Sequence, residues 1–143
     1  MPDTHAIETH GLGKRYGPVV ALEDVDLRVP RGTVFGFLGP NGAGKTTAMR
    51  LLVGLARPTT GSATVLGRRV TGDATEVRRR VGFLAQDPRF YEHETARKAL
   101  RFTAGFFFSG PTRAVEDRID EMLTLVGRSG KGDRPVRGFS GGE

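Results

Sequence analysis

Gly39-Pro40-Asn41-Gly42-Ala43-Gly44-Lys45-Thr46-Thr47 is the stretch whose reading decides the fold. It fits the pattern G-x-x-x-x-G-K-[ST] without mismatch. Its glycines let the backbone turn tightly, so that successive N–H groups converge on one anion site. Lys45 brings a positive charge to the β- and γ-phosphates, and the Thr46 hydroxyl is placed to ligate Mg²⁺. The helix expected from Ala48 onward points its positive end at the same anion. Upstream, Val34-Phe35-Gly36-Phe37-Leu38 reads as a short buried strand feeding the loop. Strand, loop and helix thus arrive in the order a nucleoside triphosphate site requires.

Working outward, Ala6 to His10, Val20 to Leu22 and Val25 to Val29 read as strands, the last alternating apolar and polar residues as a half-buried strand does. The helix after the loop is expected to end near Gly54. Ser62 to Leu66 reads as a further strand, and Asp73 to Arg79 as a helical start. Val81 to Leu84 is strand-like and leads to Gln86. Beyond Gln86 the texture becomes helical. Thr95, a candidate cap, opens one helix toward Phe107. Arg113 to Val126 forms another, with Val115, Ile119, Met122, Leu123 and Val126 on one apolar face. Gly127 to Gly138 is a connection rich in glycine and arginine.

Composition narrows the class. The 143 residues suffice for one modest domain, 37% of them hydrophobic. No apolar run approaches the ~20 residues that cross a bilayer. The first residues lack the basic and apolar regions of a signal peptide, so export of the chain is not expected. There is no cysteine, hence no disulfide or thiolate metal site, and His5, His10 and His93 have no metal-ligand spacing. The net charge of +6 is compatible with a nucleic-acid partner. Only Arg78-Arg79-Arg80 forms a basic run, however, which favours a solvated helix face, and no specific nucleic acid is expected.

Four elements in order make the chain resemble the nucleotide-binding domain of an ATP-binding cassette (ABC) transporter. Lys14-Arg15-Tyr16-Gly17 resembles the family's aromatic loop, and Gly39 to Thr47 its phosphate loop, or Walker A motif. Leu84-Ala85-Gln86-Asp87 resembles its glutamine loop. Phe139-Ser140-Gly141-Gly142-Glu143 resembles its signature, with Phe139 and Glu143 replacing the usual Leu and Gln. Pro88 to Glu92, with Thr95-Ala96-Arg97 and Leu100, is similar to drug- and polysaccharide-export members, although Lys98 stands where those usually carry Glu.

The resemblance implies an α/β fold of the P-loop NTPase class. It has an N-terminal antiparallel β subdomain, a core parallel sheet that is incomplete here, and a helical subdomain. The whole of 1–143 would be an incomplete ATP-binding domain, divided into 1–86 (β subdomain and phosphate-loop core) and 87–143 (helical subdomain up to the signature). It implies ATP and Mg²⁺ as cofactors. Tyr16 would stack on adenine; Gly39, Pro40, Asn41, Gly42, Ala43, Gly44, Lys45, Thr46 and Thr47 would hold the phosphates. Thr46 and Gln86 would reach Mg²⁺, with Lys45 and Gln86 catalytic. Ser140, Gly141 and Gly142 would act in trans on the nucleotide of a second domain in a head-to-tail dimer. Membrane permease subunits would be the other partners, placing the protein in the cytoplasm at the inner face of the membrane. Phe90, Tyr91 and Phe106 to Phe108 are candidates for the partner-facing surface.

Two alternatives stay open: a soluble cassette ATPase acting on ribosomes or nucleic acid, and a non-catalytic nucleotide-binding fragment. A multispan permease in the neighbouring gene would favour transport. Chromosome-maintenance ATPases separate the phosphate loop and signature by long coiled coils, and no sustained heptads lie between Thr47 and Phe139. In the family an Asp-Glu pair that acts on Mg²⁺ and the attacking water, and then a switch histidine, follow the signature. The sequence to Glu143 has neither, so these 143 residues are expected to hold nucleotide weakly and not to turn it over. Phosphate release by the purified chain should equal the buffer background. Release that is abolished in Lys45→Ala would contradict this.

Overall fold

The computed structural model describes residues 4–70, 74–86 and 91–139. The chain divides into two compact units, Met1–Phe83 and Leu84–Glu143. In the first, β1 (His5–Tyr16), β2 (Val19–Pro30), β3 (Thr60–Val65) and β4 (Arg68–Arg69) form one sheet in the order β2-β1-β3-β4. Every pairing is antiparallel. β1 runs far beyond the expected strand of Ala6 to His10, because Gly11 and Gly13 let it bend and continue. Gly11 has φ 55, and its N–H leaves the ladder for the Asp26 carboxylate at 2.7 Å, beside shifts in register. At Gly13 an added Cβ would stand 2.3 Å from the Thr60 hydroxyl oxygen, so a side chain there would force Thr60 on β3 to shift.

The helix α1 (Lys45–Leu52) and the short α2 (Thr75–Arg78) complete this unit's core. Leu51 and Ala48 of α1 join Leu12, Leu22, Ala63 and Val65 from the sheet and Val70, Ala74 and Val77 beyond it. An eight-residue helix is marginal by itself, so packing rather than propensity holds α1. Buried Thr9 is satisfied, since its hydroxyl donates to the Val25 carbonyl at 2.7 Å.

One expectation needs correcting. The segments 34–38 and 81–84 read as strands, but they carry no ladder, and no parallel pair of the implied core sheet exists among the described residues. A parallel strand is made by neighbours on both edges and cover on both faces. Val34 is fully exposed and Leu38 is 91% exposed, with no neighbouring strand among the described residues.

In the second unit, α3 (Ala96–Ala104) and α4 (Thr112–Leu125) are followed by short 3₁₀ turns at Ser129–Lys131 and Val136–Gly138. The Thr95 hydroxyl caps α3 by accepting from the Lys98 N–H at 3.3 Å, as expected. On α4, Ile119 and Leu123 are buried, whereas Val126, expected on the same face, lies just past the helix and is exposed. Arg97 ties the unit together. Its guanidinium donates to Asp120 (2.6 Å) and Glu116 (3.4 Å) and lies 3.4 Å from the Asp133 carboxylate. Its backbone N–H donates to the Gly132 carbonyl at 2.8 Å. The Val136 and Arg137 N–H groups donate to the backbone carbonyls of Glu94 and Glu92, which fastens the segment before Phe139 to the start of α3.

Hydrogen bonding from Arg101, then the neighbouring Arg97, holds the Glu116 carboxyl below its ordinary range. The folded state therefore favours ionised Glu116. That contribution is present at neutral pH and is lost as pH falls through the depressed folded-state value. The urea midpoint reported by α3 and α4 should fall between neutral and acid pH, and Glu116→Gln should flatten that dependence. Equal slopes in the two proteins would refute this role.

Candidate functional site

The loop 39–47 leaves the phosphate helix with an open first turn. Gly42 and Gly44 have φ 83 and 82, both left-handed. Gly44 is the residue before α1; its carbonyl accepts from Ala48 N–H at 2.8 Å, and no side chain caps the helix. No acidic residue stands in the first turn, so nothing offsets the positive end of the helix. The Ala43 N–H donates to the Pro40 carbonyl at 3.2 Å, closing the loop. Lys45 reaches back across it, its Nζ donating to the Gly39 and Pro40 carbonyls at 2.6 and 2.7 Å. Asn41, Gly42, Ala43 and Thr46 are exposed, and Thr47 is half-buried. An anion can thus meet backbone, ammonium and hydroxyl together, a donor set that suits phosphate.

The sheet fixes this loop. A Cβ on Gly44 would stand 2.5 Å from the Ala21 carbonyl oxygen and 3.0 Å from Leu22, so the loop's end lies directly against β2. β2 also places Tyr16. Lys14 pairs with Leu22, and Tyr16 with Val19 at the hairpin end. From Ala21 to Val19 is two residues, roughly 7 Å along the strand. The phosphate loop and Tyr16 therefore share one end of one hairpin. Tyr16 is 48% exposed, with its ring available.

The sequence profile of the family described as ABC transporter matches residues 22–143. The chain belongs to that family. It is 44% identical to the daunorubicin resistance ATP-binding protein DrrA3 of Streptomyces coeruleorubidus, over 99% of this chain and 44% of that protein. It is 38% identical to the Nod factor export ATP-binding protein I of Cupriavidus pinatubonensis, over 97% of this chain and 42% of that protein. The chain thus spans less than half the length of these relatives. Its fold is similar to that of CbiO1 from Clostridium perfringens, part of an ABC transporter complex, with TM-score 0.82 and 22% identity over 96% of this chain and 57% of the other.

The remaining ABC motif residues are distributed unevenly. Gln86 is exposed and belongs to the second unit. Asp87 to Phe90, and the signature residues Ser140, Gly141, Gly142 and Glu143, lie outside the described residues. Phe139 is half-buried, and its N–H donates to the Val136 carbonyl at 2.9 Å. Tyr91, Phe106, Phe107 and Phe108 are exposed. Phe107 and Phe108 line an apolar groove of about 430 Å³ with Leu100, Val115, Ile119 and Met122. Sequence reasoning quoted Lys14 in the aromatic loop but gave it no role of its own; its Nζ lies 4.9 Å from the centre of the Tyr16 ring. The available signal was their separation by two residues on a strand, which puts both side chains on one face.

Gly42 and Gly44 separate two effects. Both are left-handed, which costs a side-chain-bearing residue about 1–2 kcal/mol. Only Gly44 faces a clash, because nothing lies within 4 Å of a Cβ on Gly42. Gly44→Ala should lower the urea midpoint clearly more than Gly42→Ala. Equal losses would show that the close approach to Ala21 does not constrain the loop.

Proposed function

We propose that this chain is the ATP-binding part of an ABC transporter subunit that couples ATP binding and hydrolysis to transport. Residues 1–86 would serve as β subdomain and phosphate-loop core, and 87–143 as helical subdomain up to the signature. The observation that carries this reading is the loop 39–47, where left-handed Gly42 and Gly44 and the folded-back Lys45 converge at the uncapped start of α1. Gly39 to Thr47 bind the triphosphate. Lys45 exchanges two neutral carbonyls for a charged oxygen, a stronger acceptor. Tyr16 stacks the adenine.

Among the described residues no group of three His, Cys, Asp or Glu side chains could hold a metal ion. The Thr46 hydroxyl would supply one oxygen to Mg²⁺, which keeps waters and takes substrate phosphates as further ligands, and Gln86 is assigned as a second ligand on the family resemblance. When bound, Mg²⁺ would neutralise charge on the phosphate oxygens. Gln86 orients the attacking water, while Ser140, Gly141 and Gly142 serve the nucleotide of a second domain in a head-to-tail dimer. Membrane permease subunits complete the assembly at the cytoplasmic face. Among the described residues no helix is long and apolar enough to cross a membrane.

Calorimetric titration of the 143-residue chain with Mg·ATP tests the nucleotide site. Lys45→Ala should weaken binding at least about tenfold, the scale of one lost charged hydrogen bond. Unchanged affinity would overturn the reading.

A further inference from the structure

The end of β1 is braced from the turn that follows α1. The Thr59 N–H donates to the Gly13 carbonyl at 2.9 Å, and the Arg15 N–H donates to the Thr59 hydroxyl at 3.1 Å. Between these two bonds, Lys14 Nζ donates to the Arg57 carbonyl at 2.7 Å. The same Nζ lies over the Tyr16 ring, 4.9 Å from its centroid. A lysine stem is ordinarily mobile; this one is half-buried and held at its tip by a carbonyl of a braced turn. The ammonium covers one face of the aromatic ring, where a cation is attracted by the π electrons. The ring as a whole stays 48% exposed.

The geometry points to Lys14 as a positioning residue for the nucleotide base: it holds the Tyr16 ring with one face covered and the other open to adenine. This rests on the reading of Tyr16 as the base platform. The link also has mechanical content. Arg57 follows the C-terminal end of α1, where the Leu55 and Ala56 N–H groups donate to the Arg50 carbonyl at 2.8 and 3.2 Å. Lys14 thereby ties the base platform to the far end of the helix whose near end carries the phosphate loop. Two consequences can be told apart. A general positive field would raise the affinity of any polyphosphate. Orientation of the ring raises affinity only for a ligand that carries a base.

Calorimetric titration of the full 143-residue chain with ATP and with sodium tripolyphosphate separates them. Lys14→Met keeps most of the apolar stem and removes the ammonium. It should lower the ratio of ATP to tripolyphosphate affinity about two- to fivefold, the scale of an exposed cation–π contact. Lys14→Arg should restore the ratio, because a guanidinium can both donate to Arg57 and lie over the ring. Tyr16→Ala should lower the ratio about fivefold or more, the scale of base–aromatic stacking. If Tyr16→Ala lowers the ratio and Lys14→Met leaves it at the wild-type value, the proposal fails while the platform stands. If Lys14→Met weakens both ligands equally, Lys14 acts as a field and the proposal fails. If Tyr16→Ala leaves the ratio unchanged, the platform reading fails and the proposal with it.

Discussion

The contact on which the first unit depends is the seat of Gly44 against the Ala21 carbonyl. No side chain fits there: a Cβ would lie 2.5 Å from that oxygen. The residue is also left-handed, so its identity is constrained twice over. Because Gly44 precedes α1, this contact sets where the helix begins. Ala48 and Leu51 then come down one and two turns later onto the sheet, where Leu51 is fully buried. Burial of a leucine is worth about 2 kcal/mol, more than the propensity of so short a helix supplies. The order of cause runs from a backbone approach, to a seated helix, to a fixed phosphate loop.

That order has a consequence for binding. A polyphosphate site works best when its donors are placed before the ligand arrives, so that little freedom is lost on binding. Here the loop is anchored to β2, and β2 pairs with β1 up to Tyr16. Tyr16 and the loop 39–47 are parts of one hairpin assembly and need no separate element to align them. The electrostatics agree. Lys45 crosses the loop, and the first turn of α1 carries no acidic residue.

The sequence is most legible where chemistry dictates residue type, and least legible where neighbours decide. The loop 39–47 could be read because glycine, lysine and threonine each have one reason to be there. The helix α4 could be read because Ile119 and Leu123 repeat at helical spacing, although Val126 falls beyond its end. β1 was foreseen only as far as His10, since Gly11 and Gly13 look like breakers until Asp26 and Thr60 are seen against them. The run 34–38 misled for the opposite reason: an apolar stretch signals burial, but a strand needs a partner to bond. Lys14 carries no sequence mark beyond its spacing from Tyr16. Arg97 likewise gathers Glu116, Asp120 and Asp133 from far along the chain, a convergence that only the fold reveals.

The central claim is that one nucleotide engages the hairpin end and the phosphate loop together. Amide and aromatic NMR spectra of the chain, recorded during titration with Mg·ATP, address it directly. The account predicts that the amides of Gly39, Gly42 and Gly44 and the ring resonances of Tyr16 shift together and fit a single dissociation constant. Movement of the glycine amides with the Tyr16 ring unaffected, or two unrelated constants, would contradict it.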